Sequence, residues 1–522
     1  MYGICRMAAQ EFRQLIFLKV NMSHTSFKWT ALMLSGLVLM GCGSTVNNPV
    51  TGQAERSVMS EAAEISEGRQ AHAQVLQEYG VLKNPRVQAY VNDIGQRLAK
   101  QSQRANLQWT FTVLDSPEIN AFALPGGYVY ITRGIMVYLE NEADLAGVIG
   151  HEIGHVTARH SAQRATRQQD AGLGVLAASV LGAILESQGL GGAGRVASDL
   201  SQTVAASYVS RYGREQELQA DSLGAEYLSR IRFDPRNMID VINVLKNQER
   251  FAADLARSQG RAVPEQNSWL SSHPSNDQRL ESITRLAAQY KTAAAYNDEG
   301  RTRYLQMLDG IAFGESPEQG LTRGQNFYHT GLGFALTASD GWRIRNEADQ
   351  ITLVNSAGDA ALIVKMAPPD AGRSHEEIIR KLLRPISGRT ERAQINGLSA
   401  TRFSGTVAGK NGQSQNTELT LITSAQGAVF LFIHSARDAS ALQRNRGQMV
   451  ETENTFRTLT ALDKAAARPW IVRSVVMPRG GFAELARTSP LANPEQQLRL
   501  INGVYPAGDV KPGLAVKTVV QQ

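Results

Sequence analysis

Cysteine is nearly absent from this chain of 522 residues, which holds only Cys5 and Cys42, so a scaffold built on disulfide bonds is excluded. Long apolar runs are also missing. The two most apolar stretches, 29–40 and 171–185, are shorter than the roughly 20 residues that a membrane-spanning helix needs. No segment recurs at a fixed period, which excludes a repeat architecture.

A strong excess of charge of one sign is lacking as well. The formal net charge is +6, and residues 1–41 carry four cations and one anion, so their removal would lower it to +3. Nucleic-acid binding needs Lys and Arg clustered on one face, so we expect none. With 42% hydrophobic and 20% charged residues, the composition is that of a folded protein, and the length predicts two or three domains.

The amino end has the pattern of an export signal. A short cationic region and the apolar run 29–40 precede small residues. Leu39-Met40-Gly41-Cys42 resembles a bacterial lipobox, which implies cleavage before Cys42 and lipidation of its thiol. Met22 is a candidate start of this signal. We therefore expect a signal at 1–41, a tether at 42–60, and a periplasmic protein anchored by lipid, more plausibly to the outer than to the inner membrane. The alternative is an uncleaved anchoring helix.

Helical spacing of apolar residues dominates the next 250 residues. Gly80 and Pro85 divide the stretch 61–105 into two predicted helices. Further helices are expected at 141–165, 200–230, 234–257 and 275–292, and strands at 109–114 and 128–132. We predict a mainly helical domain with a small sheet over 61–312. The apolar segment 171–194 fits a buried helix and loop, or alternatively a flap or a membrane-surface contact.

Beyond a run of glycines at 312–325, short strands alternate with two helical stretches. This pattern predicts an α+β module over 313–463 and a last short module over 464–522. The fold class of the whole chain is therefore predicted to be α+β.

The sequence His151-Glu152-Ile153-Gly154-His155 lies within a helical pattern. Because positions i and i+4 share one helix face, both imidazoles can bind the same zinc ion. Glu152 lies beside the pair and is suited to accept a proton from water. The alternative is two surface histidines with a chance glutamate.

A third ligand must come from elsewhere. Ser161 occupies the position where a related histidine pattern needs its third histidine, and His160, one place away, is expected on the surface or behind the ligands. Downstream, Glu217 and Asp221 are again four residues apart on a helical segment, so one carboxylate could bind metal while the other supports a histidine. A solvated charged face is the alternative.

Three motifs in order resemble the HtpX-like and CAAX prenyl protease-like zinc metallopeptidases, and most of all their exported BepA-like branch. They are Asn120 to Gly134, then His-Glu-Ile-Gly-His, then Glu217-Leu-Gln-Ala-Asp221, within residues 61–300. The resemblance implies a zincin-type fold, one zinc ion per chain held by His151, His155 and Glu217, Glu152 as general base, and Asp221 in support.

The same resemblance implies further site residues. His273-Pro-Ser-Asn-Asp-Gln-Arg279 is similar to a family motif, in which His273 would stabilise the transition state or silence the site as an extra ligand, with Arg279 in support. A plain loop histidine is the alternative. We also expected an edge strand at 128–132 that receives substrate backbone by strand addition. The substrate-binding candidates are Asn120, Gly126, Gly127, Tyr128, Val129 and Tyr130.

Two weaker resemblances concern the carboxy-terminal half. Residues 325–342 are similar to the opening of PsbP-like modules, and 470–519 resemble a LysM-like module, which makes peptidoglycan a candidate partner. The glycine pair at 480–481 departs from the usual LysM motif.

Two functions remain open at this point. The first is a zinc endopeptidase of the cell envelope that acts on unfolded or stalled proteins. The second is an assembly chaperone or wall-tethered scaffold whose metal site is normally closed. The presence of Glu152 favours the enzyme, because a scaffold needs no general base.

Overall fold

The computed structural model describes residues 44–170, 212–260, 273, 277–290, 296, 298–347, 349–408 and 414–522. Within these ranges the chain combines helices with several sheets, which is consistent with the predicted α+β class. The predicted signal at 1–41, Cys42 and the apolar segment 171–194 lie outside the described residues. No helix in the described part is both long enough and apolar enough to cross a membrane.

The first region, from Ser44 to Leu308, consists mainly of helices, and all but two of them (Arg133–Tyr138 and Arg301–Leu308) lie close to the predicted ranges. They are α1 (Glu61–Tyr79), α2 (Pro85–Ala99), α3 (Arg133–Tyr138), α4 (Glu142–Thr157), α5 (Arg214–Arg230), α6 (Asn237–Ser258), α7 (Asp277–Gln289) and α8 (Arg301–Leu308). Before them the expected irregular tether is partly a hairpin, since β1 (Ser44–Asn47) pairs with β2 (Ala54–Ser57).

Helix α4 lies at the centre of this region. It begins where Asn141 Oδ1 accepts a hydrogen bond from the amide of Asp144 at 2.8 Å. Every residue of α4 is buried, so it has no solvent-facing side. The helix ends at Thr157, and Arg159 then takes a left-handed backbone conformation with φ of 60°. This turn redirects the chain into the helical residues 160–170.

Helices α4 and α5 approach each other closely because glycines occupy their contact. A Cβ atom on Gly154 would lie 2.9 Å from the carbonyl oxygen of Ala220 and 3.0 Å from its Cα. A Cβ atom on Gly224 would lie 3.1 Å from the amide nitrogen of His151. Larger residues would force the helices apart. The approach brings the side chains of α5 within reach of the histidines of α4.

A three-stranded sheet completes the first region. It consists of β3 (Thr110–Leu114), β4 (Ala121–Leu124) and β5 (Tyr128–Thr132), in the order β3-β5-β4. The prediction of an edge strand at 128–132 is wrong, because β5 pairs with a strand on each side. The edge strands of this sheet are β3 and β4, and β4 packs on α4. All four residues of β4 are apolar and buried, so it lacks the alternation that would reveal a strand.

The second region, from Leu321 to Ala466, combines strands and helices around its own apolar core. The strands are β6 (Leu321–Arg323), β7 (Asn326–His329), β8 (Phe334–Thr337), β9 (Arg343–Asn346), β10 (Ile351–Val354), β11 (Ala360–Met366), β12 (Pro385–Ile395), β13 (Leu398–Ala408), β14 (Ser414–Thr423), β15 (Val429–Ala436) and β16 (Arg457–Thr458). The helices are α9 (His375–Leu383), α10 (Ala439–Asn454) and α11 (Ala461–Ala466). One sheet has the order β12-β13-β14-β15-β11-β10-β9 and the other β16-β8-β7-β6. Phe327, Phe334, Phe432 and Phe456 lie in the shared core.

The last segment does not pack as a separate unit. Its elements are β17 (Trp470–Val476), α12 (Gly481–Ala486), α13 (Pro494–Ile501) and β18 (Ala515–Gln521). Val472, Phe482, Leu498 and Val516 belong to the same apolar cluster as residues of α2, α4 and α6. The chain therefore returns to the first region after the α+β unit. The LysM-like interpretation of this segment stays a prediction.

Candidate metal centre

Two histidines of α4 point toward the same position. His151 Nε2 and His155 Nε2 lie 3.0 Å apart, and both side chains are buried. Glu152, which follows His151, is also buried, and its Oε1 lies 3.5 Å from Nε2 of His273. The convergence follows from the spacing of four residues, which sets the two imidazoles on one face of the helix.

Helix α5 contributes a carboxylate to the same position. Glu217 Oε2 lies 3.5 Å from His151 Nε2, and its Oε1 lies 3.5 Å from His155 Nε2. Burial raises the pKa of Glu217, but the neighbouring His273 and the hydrogen bond with His151 outweigh it and hold the pKa well below its usual range. The carboxylate is therefore ionised at the pH of the cell.

His273 is the fourth member of the cluster. Its Nδ1 lies 3.1 Å from His151 Nε2 and 3.1 Å from Glu217 Oε1. The carbonyl of His273 accepts a hydrogen bond from Arg279 Nη1 at 3.0 Å. One potential ligand atom from each of His151, His155, Glu217 and His273 lies within 4.8 Å of the others. His273 is thus part of the cluster, and not the plain loop histidine that was the alternative from the sequence.

Asp221 and Arg279 support His151 from behind. Asp221 Oδ1 lies 2.9 Å from His151 Nδ1, and Arg279 donates to both carboxylate oxygens of Asp221 at 2.7 Å. Burial raises the pKa of Asp221, yet Arg279 and the hydrogen bond with His151 lower it overall. An ionised Asp221 accepts the proton on Nδ1 and leaves the Nε2 lone pair of His151 free to bind metal.

His155 is supported by residues to which the sequence pattern gave no firm role. His160 Nδ1 lies 2.8 Å from His155 Nδ1, and His160 Nε2 lies 2.9 Å from Gln219 Oε1. Tyr212 stacks on His155 with ring centroids 3.9 Å apart. His160 is fully buried, and burial lowers its pKa to about 4. Of the two positions expected for His160, the structure has the one behind the ligands.

The donor set fits a zinc ion. Imidazole nitrogens and a carboxylate are ligands that zinc prefers. Tetrahedral zinc with bonds of about 2.0–2.1 Å separates its ligand atoms by about 3.3–3.4 Å. Four separations among the candidate ligand atoms are 3.0 to 3.5 Å, with different Glu217 oxygens facing His151 and His155, and one atom from each of the four residues lies within 4.8 Å of the others. The Nε2 atoms of His151 and His155 lie 3.0 Å apart, a contact that is favourable when a proton or a metal cation lies between them.

A family model describes the stretch that holds this cluster. The model of peptidase family M48 matches residues 85–287, which run from α2 into α7 and include all four candidate ligands. Residues 85–287, which this family model matches, are called the M48 domain below. This family uses zinc, in agreement with the donor set of the M48 domain.

Known proteins resemble part of this chain. The β-barrel assembly-enhancing protease of Yersinia pestis is 30% identical over 245 residues, covering 47% of this chain and 48% of its own length. The protein of that name from Escherichia coli K12 is 29% identical over 253 residues, covering 48% and 49%. Mitochondrial metalloendopeptidase OMA1 of Bos taurus is 30% identical over 187 residues, covering 35% and 34%. The chain thus spans about half the length of the bacterial relatives.

Among solved structures, cyanobacterial PsbP from Synechocystis covers 27% of this chain and 98% of its own, with 11% identity and a TM-score of 0.21. A TM-score this low supports no conclusion about the second region. The PsbP-like interpretation therefore stays a prediction.

The predicted substrate-binding residues lie around the turn between β4 and β5. Asn120 precedes β4, and its buried Oδ1 has no hydrogen-bond partner among the described residues. Gly126 and Gly127 form the turn, with left-handed φ values of 84° and 101° that favour glycine.

The side chains of β5 lie in two different environments. Tyr128 and Tyr130 face α1, where the His72 ring stacks on Tyr128 and its Nδ1 lies 2.6 Å from Tyr130 Oη. Val129 lies in the main core. Because β5 is central in its sheet, it offers no free edge for strand addition.

Proposed function

We propose that this protein is a zinc-dependent endopeptidase that hydrolyses peptide bonds of unfolded or stalled cell-envelope proteins. The observation that carries the proposal is the buried convergence of His151, His155 and Glu217 beside Glu152. The M48 match and the relatives named as proteases support the same reaction.

Each residue of the cluster has a proposed role in hydrolysis. His151, His155 and Glu217 hold the zinc ion, which when bound polarises the scissile carbonyl and lowers the pKa of water. Glu152 accepts a proton from the attacking water and passes it to the amine nitrogen that leaves. Asp221, held by Arg279, keeps His151 in the tautomer that can bind.

His273 supports a second candidate function. Its contacts with His151 and Glu217 complete a set of four ligands, and a complete set leaves no open position for catalysis. We therefore propose that this arrangement is a closed state, from which His273 must withdraw before substrate enters. A chain that remained closed would act as an assembly chaperone or wall-tethered scaffold instead.

We propose that substrate backbone lies along β4 rather than β5. Support comes from the position of β4 at the edge of the sheet, against the helix that carries the histidines. An extended peptide could add to this edge through main-chain hydrogen bonds. The unpartnered Oδ1 of Asn120, just before β4, would accept a further hydrogen bond from it.

The location of the protein is also part of the proposal. The lipobox-like residues 39–42 support a periplasmic location with a lipid anchor on Cys42. We propose the outer membrane, rather than the inner membrane, as the site of this anchor. The names of the bacterial relatives refer to β-barrel assembly, which supports envelope proteins as substrates. Peptidoglycan is a candidate partner of residues 464–522.

The test compares residues 43–522 with the same chain carrying Glu152→Gln. Zinc content is measured together with cleavage of reduced, unfolded casein. We expect one zinc ion per chain in both proteins, and a loss of cleavage in the variant of at least about 100-fold, because general-base catalysis contributes that much or more.

The other outcomes separate the candidates. Zinc in both proteins without cleavage by either would favour the closed site, and His273→Ala should then restore hydrolysis. If His273→Ala were also inactive, the scaffold would be the better description. If neither protein bound zinc, the ligand assignment would be wrong.

A further inference from the structure

His160 is a buried histidine beside the candidate metal ligands. The proposed hydrolysis gives this residue no role. It has no exposed surface, although imidazole is polar at both ring nitrogens. Each nitrogen has one close partner, His155 Nδ1 at 2.8 Å and Gln219 Oε1 at 2.9 Å. His160 therefore links a candidate ligand on α4 to a side chain on α5.

Gln219, at the end of this link away from His155, sets the direction of the hydrogen bonds along it. Gln219 Oε1 is an amide oxygen that can only accept, so the proton of a neutral His160 lies on Nε2. His160 Nδ1 then carries a lone pair and accepts a hydrogen bond from His155 Nδ1. With its proton on Nδ1, His155 has a free lone pair on Nε2.

That lone pair points toward the candidate metal position. His155 Nε2 lies 3.0 Å from His151 Nε2 and 3.5 Å from Glu217 Oε1. If the Gln219 amide were reversed, each donor would become an acceptor and the proton would move to His155 Nε2. In that tautomer His155 could not bind a metal ion.

The two ligands on α4 are thus held by different chemistry. His151 is oriented by the ionised Asp221, which Arg279 holds from behind. His155 is oriented by a neutral pair, His160 and Gln219. Since Gln219 and Glu217 are two residues apart on α5, the same helix supplies a ligand and the end of the link.

A backbone turn brings His160 to this position. On a continued helix, a residue five places after His155 would point away from it. Instead α4 ends at Thr157, and the left-handed Arg159 reverses the chain. Arg159 is held there by hydrogen bonds to Glu64 Oε1 at 2.7 Å and to the carbonyl of Met59 at 2.8 Å.

We propose that His160 is a positioning residue that, together with Gln219, fixes the tautomer of His155 and so keeps its Nε2 available to metal. This inference rests on the zinc site of the proposed function.

The test measures the zinc dissociation constant of residues 43–522 by competition with a chromophoric chelator. His160→Phe keeps a planar ring but removes both nitrogens, and we expect its zinc dissociation constant to rise about 10- to 100-fold. His160→Gln can accept from His155 through Oε1 and donate to Gln219 through Nε2, so its affinity should stay close to that of the unchanged chain. His329→Phe, in the second region, controls for the loss of a histidine elsewhere.

A second pair of variants changes the outer end of the link while leaving His160 in place. Gln219→Met removes the acceptor and should weaken zinc binding, whereas Gln219→Glu keeps it and should not. Long-range nitrogen NMR of the zinc-free chain provides an independent measurement, because zinc on Nε2 would by itself keep the proton of a neutral imidazole on Nδ1. We expect the proton of His155 on Nδ1, and a loss of this preference in His160→Phe.

Two results would overturn the proposal. One is unchanged zinc affinity in His160→Phe. The other is equal weakening in His160→Phe and His160→Gln, because a loss independent of hydrogen bonding would point to packing alone. Failure of the proposed enzyme function looks different: the unchanged chain would bind zinc with the expected His155 tautomer but would not cleave protein.

Discussion

At the scale of single residues, Asp144 is an unusual feature of the first turn of α4. Its carboxylate is fully buried and accepts hydrogen bonds from the amide of Glu140 and from Asn237 Nδ2, both at 2.9 Å. Burial raises the pKa of Asp144 to about 7, although both hydrogen bonds act in the opposite direction. The residue does not touch the metal-ligand candidates, so its ionisation reports on the stability of the fold.

The raised pKa predicts a specific dependence of stability on pH. The unfolded carboxyl has a pKa of about 3.9, so between about pH 4 and 7 the folded state binds more protons than the unfolded state. The free energy of unfolding should therefore fall as pH rises through this window, by on the order of 2 kcal/mol between pH 5 and 7. Asp144→Asn should lack this contribution.

Urea unfolding of the zinc-loaded chain and of Asp144→Asn at pH 5, 6, 7 and 8 checks the prediction. The difference between the two proteins isolates Asp144, because all other carboxylates are shared. A constant difference across the series would contradict a raised pKa. A difference that changes in the opposite direction would mean that the hydrogen bonds outweigh burial.

The predictability of the site varies from residue to residue. His151 and His155 could be predicted to converge, because helix geometry alone sets their relative direction. Glu217 was found through its spacing from Asp221 and the family resemblance. The role of His160 could not be settled, because its direction depends on the left-handed turn at Arg159, which Glu64 stabilises from α1. No local pattern encodes that contact.

At the scale of elements, the contact between α4 and α5 determines whether the ligands meet. The site needs two residues of one helix and one residue of the other within a few ångströms, and Gly154 lies in the contact between these helices. A methyl group at this position would meet the main chain of Ala220, which cannot move aside as a flexible side chain can.

We therefore expect Gly154→Ala to lower the free energy of unfolding by about 1–3 kcal/mol, as overpacking usually does. It should also weaken zinc binding, because Glu217 would move away from the histidines. Urea unfolding and chelator competition measure the two effects. Gly147→Ala is the matched control on the same helix, since its Cβ would meet the Met238 side chain at 3.3 Å. This control should be neutral, or stabilising through better helix propensity.

The sheet shows where prediction of elements stops. Local alternation was enough to predict strands close to β3 and β5, but strand order depends on pairing between distant residues. The substrate edge was therefore assigned to β5, whose sequence is recognisable as a strand, whereas the edge strands are β3 and the entirely buried β4.

At the scale of the whole molecule, the chain crosses between its regions twice. The strands and helices of the second region have their own core, while β17, α12, α13 and β18 return to the core that contains α4. A change of composition can predict the first boundary, because glycines accumulate there. It cannot predict the return, because apolar positions in β17 and β18 look the same whichever partner they pack against.

Lys517 is the polar anchor of this return. Its fully buried ammonium group donates to the carbonyl oxygens of Val137 at 3.0 Å and Leu139 at 2.6 Å, and pairs with Glu140 Oε1 at 2.9 Å. These three acceptors lie in the last turn of α3 and in the residues that join it to α4, the helix that carries the candidate ligands. Removing the amine would leave buried acceptors without a donor.

Lys517→Met should therefore destabilise the M48 domain, although residue 517 lies far outside residues 85–287. We expect a loss of about 1–3 kcal/mol in the free energy of unfolding, the usual cost of unsatisfied buried polar groups. Because one core serves both segments, zinc release should shift to lower urea together with the loss of helical circular dichroism. Lys511→Met, at an exposed position of the same segment, should leave both transitions unchanged. If Lys517→Met released the last segment while zinc stayed bound at the original urea concentration, residues 464–522 would instead behave as a separate module.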